Sequence, residues 1–309
     1  MRSVGRFASI LVAVLGVLVL GSVLDTLLWP GPVLALFRPQ LTLALALAAV
    51  LALAARRPRV AAAGGAMAVL GAALLLPAVR GPAAEPPAVG APTVRLLVLN
   101  LWRRNDDVAA VAKLIREERP DVVALIELTP AWERALTPTL AQYPVRAAET
   151  DEGAAGIGLY GGGALSDPKL VRLFEDGRAS IEAGLALPGG RSASLLVVHP
   201  TTGLLPGKLG TARSSLDAVG AWAAERGRRV AVCGDLNAAP WMRSLRRALD
   251  RGGLQAALPG GLFDGSWPAL PRPLRVPLDG CLVGAGVRAH AELGSGVGSD
   301  HLPVLVELA

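Results

Sequence analysis

"VAVCGDLN", residues 230–237, runs four apolar residues into a glycine and then delivers Asp235 and Asn237. An unbroken apolar run is the pattern of a strand buried on both faces, as in the middle of an α/β sheet. The polar ending recurs along the chain. "VRLLVLN" (94–100) ends in Asn100, "DVVALIE" (121–127) in Glu127 and "ASLLVVH" (193–199) in His199. Two later runs begin on such groups instead. "LDGCLV" (278–283) opens with Asp279, and in "GSGVGSDHLPVLVEL" (294–308) Asp300 and His301 precede the last strand. Strands that start or stop on carboxylate, amide and imidazole imply one shared rim, where open α/β sheets build their ligand sites.

The intervening sequence supplies the rest of the fold. "DDVAAVAKLIREERP" (106–120) has apolar positions at helical spacing after an acidic start, so residues 94–127 read as a β-α-β unit. Further strands are expected at 157–161, 169–175 and 180–187, and helices at about 208–226 and 241–252. Many strands with few helices, and no fixed-period repeat, predict an α/β fold of two packed sheets flanked by helices.

The rim residues form a chemical set. Glu127 and Asn100 offer hard oxygen ligands suited to Mg²⁺ or Mn²⁺, and no Cys/His cluster has zinc-like spacing. An Asp can hold a His in the tautomer and orientation needed for proton transfer or for contact with a phosphoryl oxygen. Together these groups suit in-line attack of water on a phosphoester. Each also has an ordinary reading. Asn100 fits a strand-end turn, Asp235 and Asn237 fit a cap for the helix near 241–250, and His199 before Pro200 fits a loop.

"GDLN", "SDHLPV", "IELTP", the "LN" strand end and "VVHP" resemble, in order, the motif series of the endonuclease/exonuclease/phosphatase superfamily, over roughly residues 93–309. The resemblance implies a DNase I-like four-layer α/β/β/α sandwich. It also implies that Glu127 binds a divalent metal with Asn100 and Asp300 nearby, and that Asp235, helped by Asn237, activates or positions the attacking water. His199 and His301 would contact the phosphoryl group, with Asp279 orienting His301. The chain departs from the pattern at Trp102 and Asp167, where acidic and basic residues are usual, and at Gly280, where His or Tyr is usual. "GSWPALPRPLRVPLDGCLV" is similar to membrane-bound bacterial members, including the teicoplanin-resistance type.

Composition separates this unit from what precedes it. Mean hydropathy is +0.46, and the excess lies in three uncharged runs, 7–24, 39–55 and 60–79. Their 18, 17 and 20 residues approach or match a bilayer span. "VLA" at 33–35 resembles a cleavage site, but two more apolar runs follow at once, which favours three retained helices at about 7–28, 39–55 and 60–79. Arg2 and Arg6 precede the first, Arg56, Arg57 and Arg59 separate the second and third, and only Arg38 separates the first two. The positive-inside rule then places the N-terminus in the cytoplasm and residues 93–309 outside the cell membrane. Residues 81–92, "GPAAEPPAVGAP", read as a Pro/Ala linker.

Residues 1–80 carry seven Arg and one Asp, which accounts for the whole net charge of +6, so the rest is neutral. A neutral domain argues against a nucleic-acid groove, and nuclease activity becomes the alternative reading. Cys233 and Cys281 read most simply as small buried strand residues, although an exported domain could oxidise them. His290 carries no motif, and Trp102, Trp241 and Trp267 read first as packing and second as a lipid-facing mouth. The basic helix at 243–251 reads as a solvated face. The expectation is a membrane-anchored, extracytoplasmic phosphoesterase dependent on Mg²⁺ or Mn²⁺, with the bilayer and a lipid-linked phosphoester or pyrophosphate, such as an undecaprenyl-pyrophosphate-like carrier or a phospholipid, as its partners. A fold kept only as a non-catalytic interaction module is the remaining rival. No protein partner is indicated.

Overall fold

A computed structural model describes residues 2–81 and 83–309. Met1 and Pro82, which fall in the expected membrane unit and linker, lie outside the described residues. The chain opens with α1 (Arg2–Gly21), α2 (Gly31–Leu36), α3 (Arg38–Ala54) and α4 (Pro58–Arg80). The strands β1 (Val94–Asn100), β2 (Val122–Ile126), β3 (Val145–Glu149) and β4 (Ile157–Gly161) then alternate with α5 (Val108–Glu118) and α6 (Pro130–Leu140). The second half contains β5 (Leu165–Val171), β6 (Ser180–Leu187), β7 (Arg191–Val198), α7 (Leu209–Arg226), β8 (Val230–Asp235), α8 (Arg243–Gly252) and β9 (Leu254–Ala257). It closes with β10 (Asp279–Gly284), β11 (Ala289–Leu293) and β12 (Val304–Leu308).

Two six-stranded sheets result, ordered β11-β12-β1-β2-β4-β3 and β5-β6-β7-β8-β10-β9. Among the strands of the described residues, only β1/β2 and β7/β8 pair in parallel. These central strands are the unbroken apolar runs, and they are buried on both faces. One face of each sheet packs against the other through Val98, Ile126, Val197, Cys233 and Val306. The outer face of the first sheet is covered by α5 and α6 through Leu114, Ile115, Trp132 and Leu136. The second is covered by α7 and α8 through Leu216, Trp222, Leu245 and Leu249. The chain is thus a two-sheet α/β sandwich with helices outside.

Several elements carry their boundaries in their own residues. Asp107 caps α5 by accepting from the Ala110 N–H at 3.0 Å, and Thr129 caps α6, which starts on Pro130. The strand expected at 169–175 lies instead at Leu165–Val171, where Pro168 and Asp167 (φ 46°) make a bulge on a sheet edge. Proline without its N–H is tolerated there, and such a bulge blunts the edge. Asp167 therefore belongs to a bulge on the edge strand of the second sheet. The sequence reading had no counterpart for α6, β3, β9 or β11.

Before the sandwich, α1, α3 and α4 pack together through Ala8, Val12, Val19, Leu45, Ala48 and Ala52. Ser3–Leu24 and Pro58–Arg80 are long and apolar enough to cross a membrane, whereas Arg38–Ala54 is apolar but only 17 residues long. The first helix stops at Gly21, short of the expected residue 28, because a 3₁₀ turn at Ser22–Leu24 leads into α2. Residues 81–92 are not a free tether. The Ala84 N–H donates to Ala256 O at 3.0 Å, and Glu85 O accepts from the Ala289 N–H at 2.9 Å, so this stretch lies along two sheet edges.

The helical unit is joined to the sandwich by buried polar contacts. Arg38, 2% exposed, donates to Ser22 O, to Ser22 Oγ at 3.0 Å and to Trp241 O at 3.0 Å. Trp241 Nε1 donates to Ala35 O at 2.8 Å, so this indole is an interface residue and does not face a mouth. Asp25 Oδ2 accepts from the Arg243 N–H at 2.8 Å and so supplies the N-terminal partner of α8. Arg246 Nη1 reaches Pro77 O at 2.7 Å. The helix at 243–251 is therefore partly a docking face, where a solvated basic face was expected.

Candidate active site

The two parallel pairs bring their carboxyl ends to one edge, and the antiparallel β10 and β12 bring their starts there. Asn100, Asp235, Asp279, His199 and His301 are all buried at this edge, while Glu127, Asn237 and Asp300 are half-buried. All eight rim residues from the sequence reading are on it.

Asp235 Oδ2 is the centre of the arrangement. Asn100 Nδ2 donates to it at 3.0 Å, His199 Nε2 lies 3.6 Å away and His301 Nε2 3.7 Å away. The two imidazole separations exceed hydrogen-bond length and leave both nitrogens available to a ligand oxygen. Asp235 Oδ1 accepts from the Asn237 N–H at 2.9 Å, and Asn237 Nδ2 donates to Pro200 O at 3.0 Å. Asp235 thus does not cap α8, whose first N–H goes to Asp25. Behind His301, Asp279 Oδ2 accepts from Nδ1 at 2.7 Å, which points Nε2 toward Asp235.

The charges follow from burial and neighbours. Burial favours the neutral imidazole of His199 and outweighs the pull of Asp235, bringing its pKa down to about 4. Burial acts in the same direction on His301, but Asp279 and Asp235 overcome it and raise that pKa to about 10. Burial, and then the facing Asp279, raise the pKa of Asp235. At neutral pH the site therefore holds one neutral and one charged imidazole.

Glu127 stands beside this group. Its Oε1 lies 3.5 Å from Asn100 Nδ2, and its Oε2 accepts from the Arg103 N–H at 3.0 Å. Glu127 and Asn237 adopt φ of 57° and 50°, as does Trp102 at 55°. Left-handed backbone is uncommon outside glycine and clusters at functional sites. Trp102 fills the acidic position of the motif, and its N–H donates to Asn100 Oδ1 at 2.9 Å, so it contributes backbone and no carboxylate.

Supporting residues hold the rim in place; the sequence gives no site role to Ser299 or Ser266, and Trp267 reads there first as packing. Ser299 Oγ donates to Asn100 O at 2.7 Å and accepts from the His301 N–H at 3.0 Å, tying the approach to β12 to the end of its neighbour β1 in the same sheet. Ser266 Oγ accepts from the N–H groups of Leu278 and Asp279 at 3.2 and 3.1 Å. Trp267 Nε1 donates to Asp300 Oδ2 at 3.2 Å, and its ring lies between Phe37 and His301, with centroids at 6.2 and 6.4 Å. Only the adjacency of Ser299 to Asp300 could have flagged the first, and nothing local flags Ser266. Gly280 is explained as well. It faces Gly234 in the ladder, both have φ of 146°, and a Cβ on Gly280 would lie 2.7 Å from Ala257 O. A His or Tyr would not fit there.

The donor set suits a hard cation. Asp279 Oδ1 and Asp300 Oδ1 are buried without a hydrogen-bond partner. Asp235, Asp279 and His301 also present ligand atoms within 4.8 Å of one another. In that trio the His301–Asp279 hydrogen bond already engages one atom of each; in the alternative set of Glu127, Asn100 and Asp300, Asp300 Oδ1 has no partner, and the other oxygens accept single hydrogen bonds that leave a lone pair for a cation.

Residues 97–301 match the Endonuclease/Exonuclease/phosphatase family. The chain belongs to that family. No curated protein matches it significantly. Solved structures of the same fold include a family member from Bacteroides vulgatus, at 16% identity and TM-score 0.56, covering 71% of this chain and 99% of that one. D. rerio TDP2 complexed with single-strand DNA product is 17% identical at TM-score 0.54, covering 71% and 100%. Sphingomyelinase C from Streptomyces griseocarneus is 17% identical at TM-score 0.54, covering 70% and 99%. At these identities the likeness establishes the fold, and membership of the Endonuclease/Exonuclease/phosphatase family establishes a phosphoester-hydrolase lineage.

Proposed function

We propose that this chain is a membrane-anchored, extracytoplasmic phosphoesterase that takes a lipid-linked phosphoester or pyrophosphate. The observation that carries the hydrolytic reading is the convergence of Asn100, His199 and His301 on Asp235 Oδ2. Asp235, positioned by the Asn237 N–H, accepts a proton from the attacking water or orients it. His301, held charged by Asp279, and His199 donate to the phosphoryl oxygens as negative charge develops. Glu127, Asn100 and Asp300 would hold the Mg²⁺ or Mn²⁺, which supplies charge neutralisation at the phosphoryl group when bound.

The membrane part of the reading rests on α1, α3 and α4. At 1.5 Å per residue they span about 25–35 Å, near the hydrocarbon thickness of a bilayer. Their outer faces expose Phe7, Val17, Leu47, Val50 and Val69. Arg57 approaches Gly5 at the far end, and the sandwich docks at the other, which supports three antiparallel spans with the arginines inside. A disulfide joins Cys233 and Cys281, as oxidising compartments favour. This pairing corrects the expectation of two unlinked buried thiols, because register brings the two together across β8 and β10.

The test is a panel of phosphoesters and lipid pyrophosphates given to the full chain in nanodiscs, with Mg²⁺, Mn²⁺ or EDTA. Hydrolysis that needs the metal and is lost in Asp235→Ala and His301→Ala at retained fold is expected. Unimpaired variants would overturn the assignment. The nuclease alternative draws on the fold shared with D. rerio TDP2, and plasmid nicking at modest salt without lipid turnover would favour it.

A further inference from the structure

Among the described residues from 93 onward, the large apolar side chains exposed to solvent are Leu170, Leu205, Phe263, Leu270 and Leu274. Leu170 is on the β5 edge. The other four lie in two loops, the one after His199 and the one between β9 and β10, and both loops frame the candidate site. Exposed leucines scattered singly need no explanation, but a set confined to one rim marks a contact surface.

Both loops are held against the segment that joins α1 to α3. Trp29 Nε1 donates to Leu204 O at 3.0 Å. Gln40 Nε2 reaches Arg275 O at 3.3 Å, and Phe37 packs on Trp267. That segment adds its own exposed apolar groups, Leu27 at 64% and Leu28 at 60%, with Trp29 half exposed. The helices α1 and α4 end here and α3 begins here. Residues level with these helix ends meet the bilayer surface if the helices span it.

Charge agrees with this placement. Residues 26–40, 200–208 and 265–278 contain no Asp or Glu, and they expose Lys208 and Arg272 beside the leucines. Cations flanking apolar groups suit anionic headgroups above acyl chains.

We propose that Leu27, Leu28, Leu205, Leu270 and Leu274 form an apolar collar that sits in the outer face of the bilayer, with Trp29 at its interface. The collar sets the mouth of the site at headgroup level, so an amphipathic phosphoester reaches Asp235 without leaving the membrane. This rests on the proposed membrane reading of α1, α3 and α4.

The experiment uses the full chain in nanodiscs of phosphatidylcholine and phosphatidylglycerol. An environment-sensitive fluorophore is attached at Leu205→Cys, Leu270→Cys or Leu170→Cys, the native cysteines being bonded to each other. Lipids with a nitroxide near the headgroup are expected to quench positions 205 and 270 about twofold or more over position 170, with blue-shifted emission at both. Equal quenching at all three positions, in protein that resists carbonate extraction from membranes, overturns the collar and leaves the anchor standing. Extraction by carbonate overturns the anchor, and the collar with it.

Discussion

Asp235 and Asp279 stand directly opposite each other in the antiparallel β8–β10 ladder, two rungs beyond the bonded pair Cys233 and Cys281. The two carboxylates take different work from this one register. Asp235 faces the open rim, whereas Asp279 turns to His301 Nδ1. The disulfide beneath them closes a 48-residue separation that includes the whole loop carrying Trp267.

Replacing Cys233 and Cys281 together by Ala is expected to destabilise the chain by about 2–4 kcal/mol. Denaturant unfolding in detergent, with and without reductant, measures it. A variant as stable as the parent would show that the bond contributes nothing to the fold.

Asp279→Asn removes a carboxylate that keeps His301 charged. The His301 pKa, raised from 6.5 to about 10, then falls. The alkaline limb of the pH–activity profile should move to lower pH, with turnover down roughly 10²–10⁴-fold. Since the folded pKa lies above the unfolded one, this pair's stabilisation is complete below about pH 6.5 and is lost as pH rises through about 10. A parent and variant with superimposable alkaline limbs would contradict the assignment.

Glu127→Gln keeps the shape of the side chain and removes its charge. Calorimetric titration of the metal-stripped full chain with Mn²⁺ should show affinity reduced about 10-fold or more. Unchanged Mn²⁺ binding would move the metal to the Asp235, Asp279 and His301 trio.

Asp25→Ala removes the side chain that receives the first N–H of α8. Loss of such a cap costs about 0.5–2 kcal/mol. The thermal midpoint of the full chain in detergent should drop. The isosteric Asp25→Asn, which still accepts at that position, should recover part of the loss.

Fusion at Ala309 checks the topology. Alkaline phosphatase there should be active and a cytoplasm-dependent green fluorescent reporter dark. A fluorescent fusion would place the sandwich in the cytoplasm and remove the basis for oxidised cysteines.

The rim residues were legible in sequence because buried strands demand apolar residues, so a carboxylate or imidazole at a strand end stands out. Asn100, Glu127, His199 and Asp235 are all found this way. The partners that hold them were not legible. Ser266 and Trp267 lie in an irregular Pro-rich loop with no periodicity, and their roles exist only because that loop folds back onto Asp279 and Asp300. The helix at 243–251 read as a solvated face because its amphipathic pattern does not say what stands at its N-terminus.

The two-sheet class, the rim set and the apolar helices are readable along the chain, since each follows from local periodicity and from the cost of burying polar groups. It takes the folded chain to show that Cys233 meets Cys281, that Asp25 caps α8, and that both loops of the site rest against residues 29–40. Those contacts join residues tens to hundreds of positions apart. They depend on register and layer packing, and no local pattern carries that information.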